Sequence, residues 1–478
     1  MNSVFCKKIP AILLSVVMVF FFNACKGGNA GETSSSASSS AGSSSDFSSS
    51  SSEEGTSSSF ASSEIASSSA DTAQTSSTTQ KKPSGNSTSS KSSGQSSTNN
   101  TSSEIINIVM PEPGIDGTFQ AEYKYFYGVG YVESQMCNRV QVSQAVYLIK
   151  SLGVRSVRVW ASCMSDSRTL IQWRADRLHE LTQELKKSDI QVIFTFYGFE
   201  SPKKGGLTTW LPRRDTTSGS DYMVMLDNFE TMCYTMAKEF PEVDYWEIGN
   251  EWNHTGAINP IDWKVDGTGG DPFTLSEKAE ITTDLIYRSK RGVRAAGNKG
   301  LMIFPAMAPA DGMDGIAMTK YLECVYQNIK SGKFGSTNPR DFFEALAWHP
   351  YITEAPDMEW VENNNRVYKV ACDNGDAGIK VFLTEYGYSD GQNTRADATQ
   401  AEWLVKGYSL VRKYMPYVET MHYYRMFTDT STGIDYYGLL NQPEDGFGPK
   451  QKGLAFQKMA GGLGNLKKFY MPLYDDED

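Results

Sequence analysis

The chain has 478 residues, a formal net charge of -11 and a sequence pI of about 5.1. This acidic balance argues against sequence-independent binding to nucleic acid or to an anionic membrane surface, since both need an excess of positive charge. The 4 histidines and 7 cysteines form neither a C-x-x-C pair nor a His/Cys cluster at metal-ligand spacing. We therefore expect no metal and no other cofactor. We also expect a monomer with no nucleic-acid partner.

Residues 1–25 have the pattern of an export signal. Lys7 and Lys8 precede the apolar run Ile9–Phe22, which is short for a membrane-spanning helix. The following "FNAC" (Phe22–Cys25) resembles a bacterial lipobox, in which a cysteine after a small residue is lipidated. We expect a lipid on Cys25 to be the only membrane contact, at the bacterial cell surface or outer membrane. Plain secretion is the alternative.

Residues 26–104 are dominated by serine, with threonine, glycine, alanine and asparagine. Such a segment has too few large apolar residues to offset the entropy of ordering, so it predicts a disordered tether. Serine-rich linkers of this kind resemble those of bacterial plant-cell-wall hydrolases. The folded part is expected to be residues 105–478.

Short apolar runs in this part alternate with longer segments of helical period, and they predict eight strands. The runs are Tyr125–Tyr131, Val154–Trp160, Ile190–Tyr197, Val243–Asn250, Leu301–Ala306, Glu344–His349, Ile379–Glu385 and Val418–Tyr424. Among the helical segments, the one that ends at Gly297 opens with Thr274 and Glu277 at capping-box spacing. Strand–helix alternation predicts a parallel sheet, and eight repeats favour a closed (β/α)8 barrel.

An open doubly wound sheet usually carries a glycine-rich phosphate turn after its first strand. The corresponding "GVGYVESQ" has the wrong spacing for such a turn. We expect its glycines, Gly128 and Gly130, to let the backbone pass under a packed loop. About 370 residues is also a natural size for a barrel with long loops.

Two glutamates stand at the carboxyl ends of predicted strands, where barrel enzymes place functional groups. Glu251 follows strand four, and Glu385 closes strand seven. The ends of these strands face each other across the mouth of an eight-stranded ring. One carboxyl can then stay protonated as an acid while the other stays ionised as a nucleophile. Each glutamate alone could instead be an ion-pair partner at a strand end.

Asn250-Glu251 after strand four and Glu385 after strand seven resemble the catalytic signature of glycoside hydrolase clan A, retaining β-glycosidases on a (β/α)8 barrel. The resemblance implies that Glu251 is the acid/base and Glu385 the nucleophile. It implies that Asn250 binds the sugar 2-hydroxyl and that Arg158 lies beside the nucleophile. Arg158 should then lower the pKa of Glu385. Retention implies a carboxyl separation of about 5–5.5 Å.

"HPY" after strand six matches the His-x-Tyr of the clan, with His349 and Tyr351, and the Tyr351 hydroxyl would support the nucleophile. The last part of the chain, from "HYYRMFTD" onward, looks like family 39-type members. Tyr424 stands where the clan commonly has a tryptophan platform, and Tyr197 stands where some families have histidine. These two departures leave the family and the substrate open.

Four tryptophans stand at or just beyond predicted strand ends: Trp160, Trp210, Trp252 and Trp348. The apolar faces of sugars stack on such rings, and core packing is the alternative for each. We expect Trp160 and Trp210 to form walls of a cleft.

Besides Cys25, five cysteines follow the signal segment, which leaves at least one unpaired within the chain: Cys137, Cys163, Cys233, Cys324 and Cys372. An exported protein can form disulfides, but the sequence does not give their pairing. Buried free thiols are the simpler interpretation.

The sequence predicts a retaining glycoside hydrolase whose substrate is a β-linked plant cell-wall polysaccharide or its oligosaccharides. A β-xylosidase, an endo-glucanase or mannanase, and an arabinofuranosidase are the open candidates. A surface glycan-binding protein on an inactive barrel is the non-enzymatic alternative. A metal-dependent hydrolase on the same barrel would need a His-x-His strand end or a comparable ligand set, and we find neither in the sequence.

Overall fold

The computed structural model describes residues 124–464 and 466, apart from short gaps at 137–138, 203–205, 255–256, 265–267, 310–316, 389–396, 429–436 and 444–445. The predicted signal segment with Cys25, the predicted linker 26–104 and Cys137 lie outside the described residues. No helix within the described ranges is both long and apolar enough to cross a membrane.

Eight parallel strands close into a barrel in which each strand pairs with its neighbours in sequence and the last pairs with the first. The strands are β1 (Tyr127–Tyr131), β2 (Ser156–Trp160), β3 (Gln191–Phe196), β4 (Tyr245–Ile248), β5 (Leu301–Ile303), β6 (Ala345–Trp348), β7 (Lys380–Tyr386) and β8 (Val418–Tyr423). This topology confirms the predicted (β/α)8 barrel.

One main helix follows each strand. The helices are α1 (Val142–Ser151), α2 (Gln172–Lys187), α3 (Asp221–Glu239), α4 (Leu275–Ala295), α5 (Met318–Lys330), α6 (Met358–Asp373), α7 (Asp397–Tyr414) and α8 (Gln451–Ala460). The capping box predicted for α4 is present: the Thr274 side chain accepts from the Glu277 amide, and the Glu277 side chain accepts from the Thr274 amide. Both bonds satisfy amide groups that a helix start leaves unpaired.

All eight predicted strands are present, but most are shorter than the apolar runs that predicted them. The chain leaves the extended conformation at Gly249 (φ 89°) and Glu251 (φ 52°), so β4 ends at Ile248. Asn250, predicted as the end of strand four, therefore lies with Glu251 on the loop after β4, whereas Glu385 remains within β7.

Alternate strand residues divide between two apolar clusters, as the two-residue period of a strand requires. On β6, Leu346 and Trp348 belong to the large cluster that includes helix residues. Ala345 and Ala347 belong to a small cluster of strand residues, which includes Ile193 and Phe382. The small cluster fills part of the barrel interior and combines small side chains on β6 with larger ones on other strands.

Gly128 does not serve the role that the sequence predicted. Instead of admitting a loop, it makes room for the imidazole of His422, its register partner on β8. A Cβ at Gly128 would lie 2.3 Å from Cδ2 of His422. Burial, with the nearby charge of Arg158, lowers the pKa of His422 to about 3, so this ring is a neutral filler of the interior.

The four later cysteines that the structure describes are all free thiols. Cys163 and Cys233 are buried, whereas Cys324 and Cys372 are half-buried. The simpler interpretation, buried free thiols, holds for the first two.

We predict that Gly128→Ala destabilises the fold, because the new methyl group must displace a buried imidazole. Overpacking of this kind costs about 1–3 kcal/mol. Gly130→Ala is the matched control, since the nearest atom to its Cβ would be at an ordinary 3.4 Å. Denaturant unfolding measures both. Equal stability of the two variants would contradict the close packing of His422 against Gly128.

Candidate active site

Arg158 on β2 is the charged centre of the barrel mouth, and its side chain is fully buried. Its Nε donates to Oε2 of Glu247 on β4 at 2.5 Å, and its Nη2 donates to Oδ1 of Asn250 at 2.7 Å. Its Nη1 donates to Oε1 of Glu385 on β7. Burial alone would lower the pKa of Arg158, but the two carboxylates raise it above its ordinary value, so the guanidinium stays charged.

Glu385 is held in its ionised form. Arg158 donates to its Oε1, the Tyr351 hydroxyl donates to its Oε2, and Nδ1 of His349 lies 3.7 Å from Oε2. Burial would raise the pKa of Glu385. The charges of His349 and Arg158 and the Tyr351 hydrogen bond outweigh burial and lower this pKa below its ordinary value. The effect predicted for Arg158 is therefore present, with His349 as a further cause.

Glu251 occupies a different environment. Its backbone is left-handed (φ 52°), which is uncommon for a residue other than glycine, and its amide donates to the Ala306 carbonyl at 2.7 Å. Its Oε1 lies 2.7 Å from Nδ1 of His349 on the loop after β6. The side chain is 14% exposed, compared with 7% for Glu385. Such backbone strain clusters at functional sites, because the surrounding structure must hold it in place.

The two carboxylates and the imidazole lie close together: one donor atom each of Glu251, His349 and Glu385 all lie within 4.8 Å of one another. This set contains no His-x-His pair, so its residues were not predicted as a metal-ligand pattern from the sequence. Carboxylates and imidazole can bind divalent metals in general. The set does not fit a metal site here, because the buried guanidinium of Arg158 already supplies positive charge at Glu385 and would repel a second cation.

Three polar side chains of the site were missed by the sequence analysis. Glu247 on β4 is fully buried. Its Oε2 accepts from Arg158 and from the Thr195 hydroxyl on β3, and its Oε1 accepts from the Thr384 hydroxyl on β7 at 2.7 Å. A carboxylate inside the apolar run "YWEI" was the available signal, since a charge buried in a strand needs a partner.

Tyr351 and Tyr424 line the mouth on the side of β6 and β8. Their rings meet edge to face, with centroids 6.2 Å apart. The Tyr424 ring also lies 5.4 Å from that of Tyr437. The peptide bond between Tyr424 and Arg425 is cis. The ring contact places the Tyr424 side chain beside Tyr351, the residue that contacts Glu385.

Trp160 and Tyr197 line the opposite side, at the ends of β2 and β3. The Arg158 guanidinium lies 5.2 Å from the ring centroid of Trp160, which meets the Tyr197 ring edge to face. The Tyr197 hydroxyl donates to the Ala257 carbonyl, and burial and the charge of Glu251 raise its pKa. Apart from Trp210, Trp252 and Trp348, the structure thus brings the predicted site residues of the barrel together.

The tryptophans separate into two groups. Trp252 and Trp348 are fully buried in the core, so neither offers a face to a ligand. Trp160 and Trp210 are half-buried. Trp210 stacks on Trp263, with ring centroids 5.8 Å apart and an angle of 29° between the planes.

No protein-family model matches the sequence, and no curated protein matches it. Among solved structures, the chain is similar to a GH5-4 broad-specificity endoglucanase from an uncultured bacterium, with 13% identity, a TM-score of 0.48, and coverage of 72% of this chain and 96% of that one. It is also similar to a β-glucosidase from Thermotoga maritima, with 11% identity, a TM-score of 0.48, and coverage of 71% and 99%.

A third similar structure is the exo-β-1,4-mannosidase Op5Man5 from Opitutaceae bacterium strain TAV5, with 16% identity, a TM-score of 0.46, and coverage of 70% of this chain and 59% of that one. Likeness of this degree carries no information about reaction or substrate. The predicted closeness to family 39 stays a prediction.

We predict that Arg158→Met destabilises the fold by about 3–5 kcal/mol at neutral pH, because it leaves two buried carboxylates without their cation. The lowered pKa of Glu385 stabilises the wild type above the carboxyl's unfolded pKa, and this contribution is lost as pH falls through the folded pKa. The deficit of the variant should therefore shrink once the pH falls below the ordinary pKa of a glutamate carboxyl.

Thermal unfolding at neutral and acidic pH measures this difference. Lys369→Met, which removes one partner of an exposed ion pair with Asp373, is the control and should cost less than about 1 kcal/mol. An Arg158→Met deficit that is small, or that grows in acid, would contradict the proposed ion pairing.

Proposed function

We propose that this protein is a retaining glycoside hydrolase that acts on β-linked polysaccharide of the plant cell wall or on its oligosaccharides. One observation carries the proposal: Glu251 and Glu385 have carboxylate oxygens within 4.8 Å of each other, at the ends of β4 and β7. Retaining enzymes hold their carboxyl groups about 5–5.5 Å apart, whereas inverting enzymes leave about 6.5–9.5 Å for a water molecule.

The unlike environments of the two carboxyls support a division of roles. Glu385 accepts hydrogen bonds from Arg158 and Tyr351, which keep it ionised and oriented as a nucleophile. No arginine or lysine in the described part of the chain lies within hydrogen-bonding distance of the Glu251 carboxylate, and its Oε1 lies 2.7 Å from Nδ1 of His349. Glu251 is therefore the group suited to give and take a proton.

The reaction would proceed in two displacements. Glu385 attacks the anomeric carbon while Glu251 protonates the glycosidic oxygen, so the carbon–oxygen bond breaks and a covalent glycosyl-enzyme forms. Glu251, now ionised, takes a proton from water, and the hydroxyl attacks the same carbon and releases Glu385. The two steps return both carboxyls to their starting protonation and add one water across the bond.

Neighbouring groups are suited to hold the sugar. Asn250 has its carbonyl oxygen fixed by Arg158, which leaves its amide nitrogen to donate to a ring hydroxyl. Tyr424 offers an aromatic ring beside Tyr351, and Trp160 lies on the other side of Arg158. Apolar sugar faces stack on such rings.

Substrates longer than one sugar are favoured by an aromatic pair on the loops after β3 and β4. Trp210 and Trp263 stack on each other, and a two-residue parallel ladder joins Trp210–Leu211 to Asn259–Pro260. Arg213 adds a hydrogen bond to Asp262 at 3.1 Å. These contacts hold both loops together on the face of the barrel that carries the carboxylates.

The alternative, an inactive glycan-binding protein, needs an aromatic cleft but no paired acid and nucleophile. The contacts of Arg158 and Tyr351 with Glu385, together with the His349–Glu251 contact, favour the enzyme. A binding protein gains nothing from holding two carboxylates close together, because their mutual repulsion is unfavourable.

We predict that the full chain releases reducing sugar from at least one β-linked cell-wall polysaccharide or oligosaccharide. Glu385→Gln should lower this activity to background, because an amide cannot act as the nucleophile. Glu251→Gln should fail on substrates with poor leaving groups but still be glycosylated by activated aryl glycosides, which need no acid. Glu402→Gln, on the exposed face of α7, is the matched control and should keep full activity.

Binding of glycans with no hydrolysis of any polysaccharide, oligosaccharide or aryl glycoside by the wild type would favour the binding protein. Hydrolysis that survives in Glu385→Gln would contradict the assigned nucleophile.

A further inference from the structure

Glu247 is a buried carboxylate that the proposed reaction does not use. Every hydrogen bond that the described residues make to it is donated by the partner: Arg158 and Thr195 donate to Oε2, and Thr384 donates to Oε1 at 2.7 Å. An ionised carboxylate is acceptor-only, and the three donors, one of them a buried guanidinium, match that form. Glu247 is therefore a fixed negative charge beneath the reactive pair.

Thr384 joins this charge to His349. A threonine hydroxyl has a single hydrogen, and at Thr384 that hydrogen is taken by Glu247, which is a stronger acceptor than a neutral ring nitrogen. The Thr384 oxygen also lies 3.2 Å from Nε2 of His349. Because this oxygen has no second hydrogen, it can only accept a hydrogen bond from His349. Nε2 must therefore be protonated and act as the donor.

We propose that Glu247 and Thr384 are positioning residues that keep Nε2 of His349 protonated, so that Nδ1 is the only ring nitrogen that exchanges a proton with Glu251. The Nδ1–Oε1 contact is 2.7 Å. The His349–Glu251 pair then jointly holds the proton that is transferred to the leaving group. This consequence for catalysis rests on the proposed function, whereas the tautomer itself does not.

The charged and titratable groups around His349 come from several elements. Three of them lie next to His349: Glu251 after β4, Glu385 on β7 with Oε2 at 3.7 Å from Nδ1, and Tyr351 on the same loop with ring centroids 6.1 Å apart. Two act through an intermediate residue: Glu247 on β4 through Thr384, and Arg158 on β2 through Glu247 and Glu385. Because Thr384 accepts from Nε2, it stabilises a proton on the His349–Glu251 pair. Its loss should make that proton leave more readily.

The chain offers a matched set of variants for the test. Thr384→Val and Thr195→Val each remove one hydroxyl donor from the same carboxylate and replace it with a methyl group of similar size. Only Thr384 also contacts His349. Thr384→Ser keeps the hydroxyl and should restore the wild-type behaviour, which separates the hydrogen bond from packing.

The first readout is the 15N spectrum of the histidine rings in the full chain, where only 4 histidines contribute and a His349→Asn variant assigns the signal. We expect Nε2 of His349 to stay protonated from about pH 5 to about pH 8, with any loss of the proton confined to Nδ1. In Thr384→Val the neutral ring should carry its proton on Nδ1. An unprotonated Nε2 in the wild type would overturn the proposal. So would a His349 ring that is protonated in the same way in Thr384→Val and Thr195→Val.

The second readout is the pH dependence of kcat/KM on a glycoside with a poor leaving group. Thr384→Val loses one hydrogen bond to the proton-carrying pair, so the alkaline limb of its pH profile should move about one pH unit lower. The alkaline limb of Thr195→Val and of Thr384→Ser should stay where it is in the wild type. A limb that moves equally in both valine variants would overturn the link to catalysis. Inactive wild-type protein would refute the proposed function, and the 15N spectrum would still decide the tautomer.

Discussion

A buried arginine shared between two carboxylates is the constraint on which the site depends. Arg158 and its partner Glu247 have no exposed side-chain surface, and the side chain of its second partner, Glu385, is 7% exposed. Taking three such charges out of water is costly unless each is paired and hydrogen-bonded. Arg158 meets this condition by directing separate nitrogens to Glu247, Asn250 and Glu385, and so it fixes the positions of β4 and β7 relative to β2.

The barrel makes this arrangement available. Parallel strands in a closed ring end at a common face, so residues as distant in sequence as Arg158 and Glu385 meet without long connections. Beneath them the interior is completed by a neutral histidine, His422, which fits only because Gly128 lacks a side chain. Above them His349 and Tyr351 give the two glutamates different partners. Charge pairing holds the site in place, and the different partners of Glu251 and Glu385 suit the two glutamates to different chemical roles.

Much of this architecture follows from the sequence. Strand–helix alternation predicts the barrel, and counting strands places Glu251 and Glu385 on facing ends. The sequence did not predict Glu247 or Thr384 in the site, because their direction depends on the register of strands that are distant in the chain. It favoured cleft walls for Trp160 and Trp210 but left core packing and sugar stacking both open for Trp252 and Trp348, which pack in the core. Position at a strand end does not reveal which side of the barrel a ring faces.

The configuration of the first product tests the central claim most directly, because it reports on the spacing of Glu251 and Glu385 in the working enzyme. After a β-linked substrate is found, proton NMR of the earliest product, before mutarotation, distinguishes the two anomers. A double displacement through Glu385 predicts the β-anomer. The α-anomer would mean a single displacement by water and would contradict the assigned roles of the two carboxylates.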